Sequence, residues 1–388
     1  MSIHQSLISP TANAELGRAL RERVQRRAAL AGGLGELESL AARLGLIQNT
    51  LTPRFRDPAL LLFAADHGLA TDRVPLLWGR STRDHALLAL QNRLPVAVFA
   101  RQQGLQLTLV DCGIAEPLDP HPKLLARKIA HGTRNARKAP AMTLEQAHAG
   151  VRVGMEIADS MTGNVLACAG LGHGSHESAA LVLSKLSDRP VQDFIISGGD
   201  MRQDALEHLL AVLGAALTRH QDANDPMEVL AALGGHEISV MVGAMLVAAS
   251  KRNLIIVDGL SACAALKVAA MIAAPVTDYA VFCRSHTHRG LDEALTLFHA
   301  AALLELGMDS ADGTGATLAW PLIRTAGAML TEVQDSADAE AATATAAAQP
   351  PLPNSRPGRL HSGPGLLVDT ANGATASQVG LVSRDQGL

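Results

Sequence analysis

The chain has 388 residues, 48% hydrophobic and 18% charged, with a formal net charge of -4. Slight acidity argues against a basic face that displaces counterions from nucleic acid, and 6 Phe, 2 Trp and 1 Tyr leave few platforms for stacking bases. The Ala-, Leu-, Val- and Gly-rich remainder favours helices and strands packed through small side chains over an aromatic-rich sandwich.

Cys112, Cys168, Cys263 and Cys283 form no C-x-x-C pair, so neither a thiolate zinc site nor a disulfide framework is expected. The first residues, MSIHQSLISPTANAELGRAL, lack a secretory pattern. Arg252 interrupts the apolar stretch from Ile238 to Val257, so no run reaches the roughly 20 residues of a membrane span. A cytoplasmic protein with no membrane or nucleic-acid partner is expected.

Residues 12–30 carry apolar residues at helical spacing among arginines and predict a helix; Leu37, Leu40 and Leu44 predict a second over 35–47. This N-terminal segment, 1–58, is assigned to a smaller helical lobe. ALLLFAADHG (59–68) is then a continuous apolar run ending in Asp-His-Gly, as a parallel strand buried on both faces does when it enters a loop. The pattern recurs in LQLTLVDCG (105–113), VQDFIISGGD (191–200), NLIIVDGL (253–260) and DYAVFCRSH (278–286). Helical stretches fall at 83–103, 143–161, 177–187, 203–218, 236–251 and 261–273. The alternation predicts an α/β core over 59–334, a doubly wound, Rossmann-like parallel sheet whose site lies at the carboxyl ends of the strands. From Asp335 to Leu388 the chain is rich in Ala, Thr and Pro without an apolar period, and a disordered tail is expected. Within it GLLVDTANG (365–373) either adds an edge strand or forms none.

Several strand-end motifs carry chemistry, each beside a plainer reading. Asp66-His67-Gly68 presents a carboxylate and an imidazole, or else Asp66 caps a turn and Gly68 supplies a positive φ. GLGHGSHESAA (170–180) suits an anion at a helix N-terminus, or is an ordinary connection. Ser197-Gly198-Gly199-Asp200 contacts a phosphate or ribose, or is a tight turn. Glu237, after Gly234-Gly235-His236, reads as an acidic helix cap. Asp312, before Gly313-Thr314-Gly315, suits a general base at a helix start, or caps that helix. His173, His176, His286 and His288 lie in two such loops, but their spacing is not a helical metal pair, and no metal is expected. The Gly- and Ala-lined helices over 236–273 suit close helix contact with a second chain as well as within the fold.

In order, GGLGELESLAARLGLIQNTLTPR, FAADHG, TLVDCGI, KIAHGTRNARKAPAMT, GMEIAD, DPMEVLAALGGHEISVMVGAMLVAA, IIVDGLSACAAL and GMDSADGTGATLAWPL resemble the nicotinate-nucleotide–dimethylbenzimidazole phosphoribosyltransferase family, from about residue 17 to 332. The resemblance implies transfer of ribose 5-phosphate from nicotinate mononucleotide to a benzimidazole nitrogen, which assembles the lower ligand of cobalamin. It also implies a homodimer and no cofactor. The family's basic Glu, inside Gly-Glu-Gly-Thr-Gly, is matched here by Asp312, one methylene or about 1.5 Å shorter.

The pocket departs further. The family's Glu in Gly-Glu-x-Gly is matched by Gly170, with Glu177 near enough to substitute. Its Ser-His-x-Ser-x-Glu-x-Gly becomes Ser285-His286-Thr287-His288-Arg289-Gly290, without the second acid. Its phosphate-side Lys falls at His208 and its base-contacting Gln at His85. The implied site has Asp312 as base. Substrate is held by Asp66, His67, His85, Gly172, Gly174, Ser175, Glu177, Gly198, Gly199, His208, Ser285, His286, Gly313, Thr314 and Gly315. An altered acceptor base is one expectation, and a catalytically inert paralogue that binds a nucleotide or an active partner is the alternative.

Overall fold

A computed structural model describes residues 8–29, 32–74, 79–195, 201–335 and 337–338. The Ser197–Asp200 motif, with Gly198 and Gly199, and residues 339–388, with GLLVDTANG, lie outside these.

Two helices open the chain, α1 (Ala14–Ala28), capped by the Asn13 side chain, and α2 (Glu36–Gln48). Then come β1 (Ala59–Ala65), α3 (Thr82–Leu90), α4 (Pro95–Gln102), β2 (Gln106–Gly113), β3 (Leu124–Ala126), α5 (Leu144–Ser160), β4 (Val165–Leu171), α6 (Ser175–Ser187), α7 (Gln203–Arg219) and α8 (Pro226–Leu233). The last group is α9 (His236–Ser250), β5 (Leu254–Asp258), α10 (Leu260–Ile272), β6 (Ala280–Cys283), α11 (Arg289–Thr296) and α12 (Thr314–Thr331). The strands form one parallel sheet in the order β3-β2-β1-β4-β5-β6. The chain winds outward from β1 to β3, then returns to β4 and winds the other way. The direction therefore reverses between β1 and β4, where such sheets open a crevice at their carboxyl ends.

Local chemistry accounts for many of the boundaries. Thr143 and Gln146 exchange side-chain and backbone hydrogen bonds as a capping box that starts α5. The helix expected over 83–103 is two, because the chain turns left-handed at Asn92 (φ 56) and restarts with Pro95 in the first turn of α4. The strand expected over 191–200 is a 3-10 turn at Val191–Phe194, and Ile196–Asp200 lie outside the described residues. Its central place belongs to β4, VLACAGL, whose Ala and Gly give little strand preference alone. All seven of its residues are buried, so close packing from neighbouring layers outweighs weak propensity.

Helix α9 touches β1, β2, β4 and β5, and its partner in packing is α5. A Cβ at Gly154 would lie 1.8 Å from the Val240 carbonyl oxygen, so only glycine permits these backbones to approach so closely. Residues His236–Met245 are all buried. The small residues of α9 thus serve packing within the chain.

The N-terminal helices pack with α12 at the other end of the sequence. The first residues of the expected tail join them: Asp335 pairs with Arg26 at 2.9 Å, and Asp338 with the buried Arg27 at 2.6 Å. The compact unit ends at Asp338 rather than before 335.

Gly154→Ala should cost about 1–3 kcal/mol of stability by overpacking. Gly214→Ala on α7, where a Cβ meets nothing within 4 Å, should instead gain about 0.5–1 kcal/mol from lost chain freedom. Urea unfolding of both variants checks the opposite signs; equal signs would mean α5 and α9 have room to spare.

Candidate active site

At the reversal point the loops after β1 and β4 are tied together. The Asp66 carboxylate accepts from the Thr82 hydroxyl and, at 2.7 Å, from the Ala115 N–H. Thr82 Oγ1 in turn accepts from the His173 N–H at 2.9 Å, and the His67 N–H donates to the His173 carbonyl. Asp66 therefore bridges three segments instead of capping the next turn. Nor does Gly68 supply a positive φ: a Cβ there would lie 2.3 Å from the Arg134 carbonyl carbon, so glycine answers a close approach.

One buried acid centres on Glu237, in the first turn of α9. Its Oε1 lies 2.9 Å from His67 Nε2 and accepts from Ser175 Oγ at 2.9 Å; Ser175 Oγ is 2.8 Å from Ser261 Oγ. Burial opposes ionisation of both partners, but their mutual attraction wins, holding Glu237 below and His67 above their ordinary values. Glu237 is thus a buried ion-pair partner as well as an acid in the first turn of α9.

A second acid cluster lies where β5 and β6 end and α12 begins. Asp312 is buried, with Oδ1 2.8 Å from His286 Nε2 and Oδ2 3.2 Å from His176 Nε2. His286 Nδ1 lies 2.9 Å from Asp309 Oδ1. Burial alone would lower the His286 imidazolium, but Asp312 and then Asp309 raise it to about 9. Burial likewise opposes charge on Asp312, and His176 and His286 overcome it, holding this carboxyl far below the usual range. Beside it Asp258 Oδ2 accepts from Ser285 Oγ and the Ala316 N–H, both at 2.8 Å, while Oδ1 is buried without a partner. Burial, then the Asp312 charge, pushes Asp258 up to about 6.

The N-termini of α6, α9, α10 and α12 are therefore linked by side chains to these acids. Their positive dipole ends favour carboxylates, and equally the phosphate of a ligand.

Most expected residues fall on this rim. Gly172, Gly174 and Ser175 form the turn into α6, and Gly313 (φ 92), Thr314 and Gly315 the turn into α12, where the Gly315 N–H donates to Ser285 Oγ at 2.8 Å. Glu177 is half-buried in the first turn of α6, beside a small cavity it shares with His176, Ile195 and Leu209. His85 is buried on α3, where burial and then Arg80 lower its imidazole. His208 is on α7 and donates from Nε2 to the Asp72 carbonyl at 2.7 Å. The four loop histidines do not act as one group, because His173 Nε2 turns away to the Val74 carbonyl at 3.1 Å. Glu237, Asp258 and Ser261 were not among the expected site residues. The Asp258-Gly259 strand ending was their visible signal, and Glu237 was hidden by its resemblance to a cap.

The profile of a phosphoribosyltransferase family matches residues 9–341. The nicotinate-nucleotide–dimethylbenzimidazole phosphoribosyltransferase of Cupriavidus taiwanensis is 40% identical over 317 residues, covering 81% of this chain and 92% of that protein. The chain belongs to this nicotinate-nucleotide–dimethylbenzimidazole phosphoribosyltransferase family. A Dechloromonas aromatica relative of the same name is 35% identical, covering 81% of this chain and 92% of its own. The crystal structure of the Thermus thermophilus phosphoribosyltransferase of this name superposes with a TM-score of 0.76 at 28% identity, covering 85% of this chain and 99% of that one. At the α12 end of the site, His176 and His286 both meet Asp312.

The His67–Glu237 pair makes stability depend on pH with a definite sign. His67 is raised above its ordinary 6.5, so its contribution is complete below that value and is lost as pH rises through the folded one. Glu237 is lowered from 4.5, so its contribution is present above that value and is lost as pH falls through the folded one. In Glu237→Gln, burial of His67 is no longer offset by that charge, and the dependence around neutrality should reverse. Urea midpoints of both proteins across this range test it; parallel curves would show that the pair contributes nothing.

Proposed function

We propose that the protein transfers ribose 5-phosphate from nicotinate mononucleotide to the nitrogen of a benzimidazole-like base, releasing nicotinate and an α-ribazole phosphate. Family membership across residues 9–341 carries this reading, with an acid retained at Asp312 where α12 begins. The nucleotide occupies the crevice between β1 and β4. Asp66, His67, Gly172, Gly174, Ser175 and Glu177 surround it on one side, and Ser285, His286, Gly313, Thr314 and Gly315 on the other. His208 stands on the phosphate side and His85 on the side of the acceptor base. Proton acceptance from the base belongs to the unit formed by Asp312 with His176 and His286. The working form is a homodimer in the cytoplasm. Exposed Leu144 and Met155 on α5, and Met271 and Ile272 at the end of α10, support the dimer; the four unpaired cysteines support the compartment.

A second reading, an inert member that binds nucleotide, is favoured by one observation: both Asp312 oxygens are engaged by imidazoles and buried. Nicotinate release with a panel of bases separates the two. Release with at least one benzimidazole is expected, falling about 100-fold or more in Asp312→Asn, the scale of a lost acid–base group. An Asp312→Asn variant as fast as wild type would remove Asp312 from the reaction. Nucleotide binding by calorimetry without release, whatever the base, would establish the second reading. Sedimentation at micromolar concentration should give a dimer, and a monomer alone would overturn that part.

A further inference from the structure

The two imidazoles on Asp312 bring together a donor set that the transfer chemistry does not require. His176 Nε2, His286 Nε2 and an Asp312 oxygen all lie within 4.8 Å of one another, and all three residues are buried. In a tetrahedral shell with bonds of about 2.0–2.2 Å, donors sit roughly 3.3 Å apart. His286 Nε2 lies 2.8 Å from Asp312 Oδ1 and His176 Nε2 lies 3.2 Å from Asp312 Oδ2, so each imidazole already faces one oxygen of the same carboxylate.

Two further observations point the same way. The far nitrogen of His286 lies 2.9 Å from Asp309. A metal-bound histidine commonly donates that second N–H to a carboxylate, which fixes the ring and strengthens the ligand. Next to the donors, Asp258 is fully buried with Oδ1 lacking any hydrogen-bond partner. Among the described residues neither Asp258 nor Asp312 forms an ion pair with lysine or arginine. The cluster thus gathers negative charge that imidazoles, a hydroxyl and a helix start offset without any lysine or arginine among the described residues. A divalent cation would supply the missing charge.

We propose that His176, His286 and Asp312 bind one divalent first-row transition ion, with Asp309 orienting His286. Two imidazoles and one carboxylate are borderline donors that suit zinc and cobalt(II), and the site holds no soft sulfur donor. Magnesium and calcium, which prefer all-oxygen shells, do not fit. His288, 3.5 Å from Asp309, stands outside this set. The sequence spacing had argued against a metal because neither loop holds a helical pair; the ligands come instead from both loops and from the turn into α12. Asp312 belongs to this inference and to the proposed reaction alike, so the two are tested separately.

The experiment uses the full untagged chain, stripped with a chelator and titrated with cobalt(II) in the absence of nucleotide and base. One equivalent should bind and develop the visible bands of four- or five-coordinate cobalt, which one equivalent of zinc then displaces. His176→Ala and His286→Ala should each abolish this spectrum. Asp309→Asn should keep the stoichiometry and weaken affinity about 10–100-fold. His173→Ala, in the same loop as His176 but turned to the Val74 carbonyl, should bind as wild type does. Wild-type protein that shows no saturable one-to-one binding overturns the proposal without reference to any variant. So does an unchanged spectrum in both His176→Ala and His286→Ala, which would place the ion elsewhere. Because no substrate is present, an inactive enzyme leaves the outcome readable.

Discussion

Three carboxylates, Glu237, Asp258 and Asp312, are buried at the carboxyl edge of the sheet, and the arrangement around them follows from that burden. Removing an ion from water costs several kcal/mol even after relaxation, so each acid needs compensation within hydrogen-bond reach. It comes from imidazoles, hydroxyls and helix starts. His67 and Ser175 serve Glu237; Ser285 and the Ala316 N–H serve Asp258; His176 and His286 serve Asp312. These partners come from the loops after β1 and β6 and from the first turns of α6 and α12. Compensating the acids therefore also holds those loops in register.

The close approach of α9 to α5 puts Glu237 in place. Their backbones meet at Gly154 and Val240, so α9 lies deep enough for its first turn to reach His67 under the β1 loop. Strand β4 contributes in the same way, because its Ala and Gly residues put little bulk between the layers at the point where the winding reverses. Gly259, with φ 93, shows how little room remains: a Cβ there would lie 2.1 Å from an Asp312 oxygen. The site is built by packing as much as by polar chemistry.

The histidines at the α12 end depend on one acid. His176 and His286 take one oxygen each of the buried Asp312 carboxylate. His286 is held charged by Asp312 and Asp309 together, so the α12 end of the crevice carries a cation–carboxylate lattice.

The α/β class, the strands now numbered β1, β2, β5 and β6, and the placement of the site at their carboxyl ends were legible because apolar runs ending in Asp, Gly or His are local signals. So was the family, which rests on ordered motifs rather than on any contact. The order of the strands was not legible. Parallel pairing joins segments far apart in sequence, and β4 lies at the centre although its own residues prefer no such state. Nor could the linear chain distinguish His176, which meets Asp312, from His173 three residues earlier, which turns to Val74. The sequence by itself determined which acids and imidazoles stand at strand ends. Only the tertiary structure decided which of them meet, because those partners are 26 to 170 residues apart, and a buried charge is compensated by whatever the packed layers bring within hydrogen-bond distance.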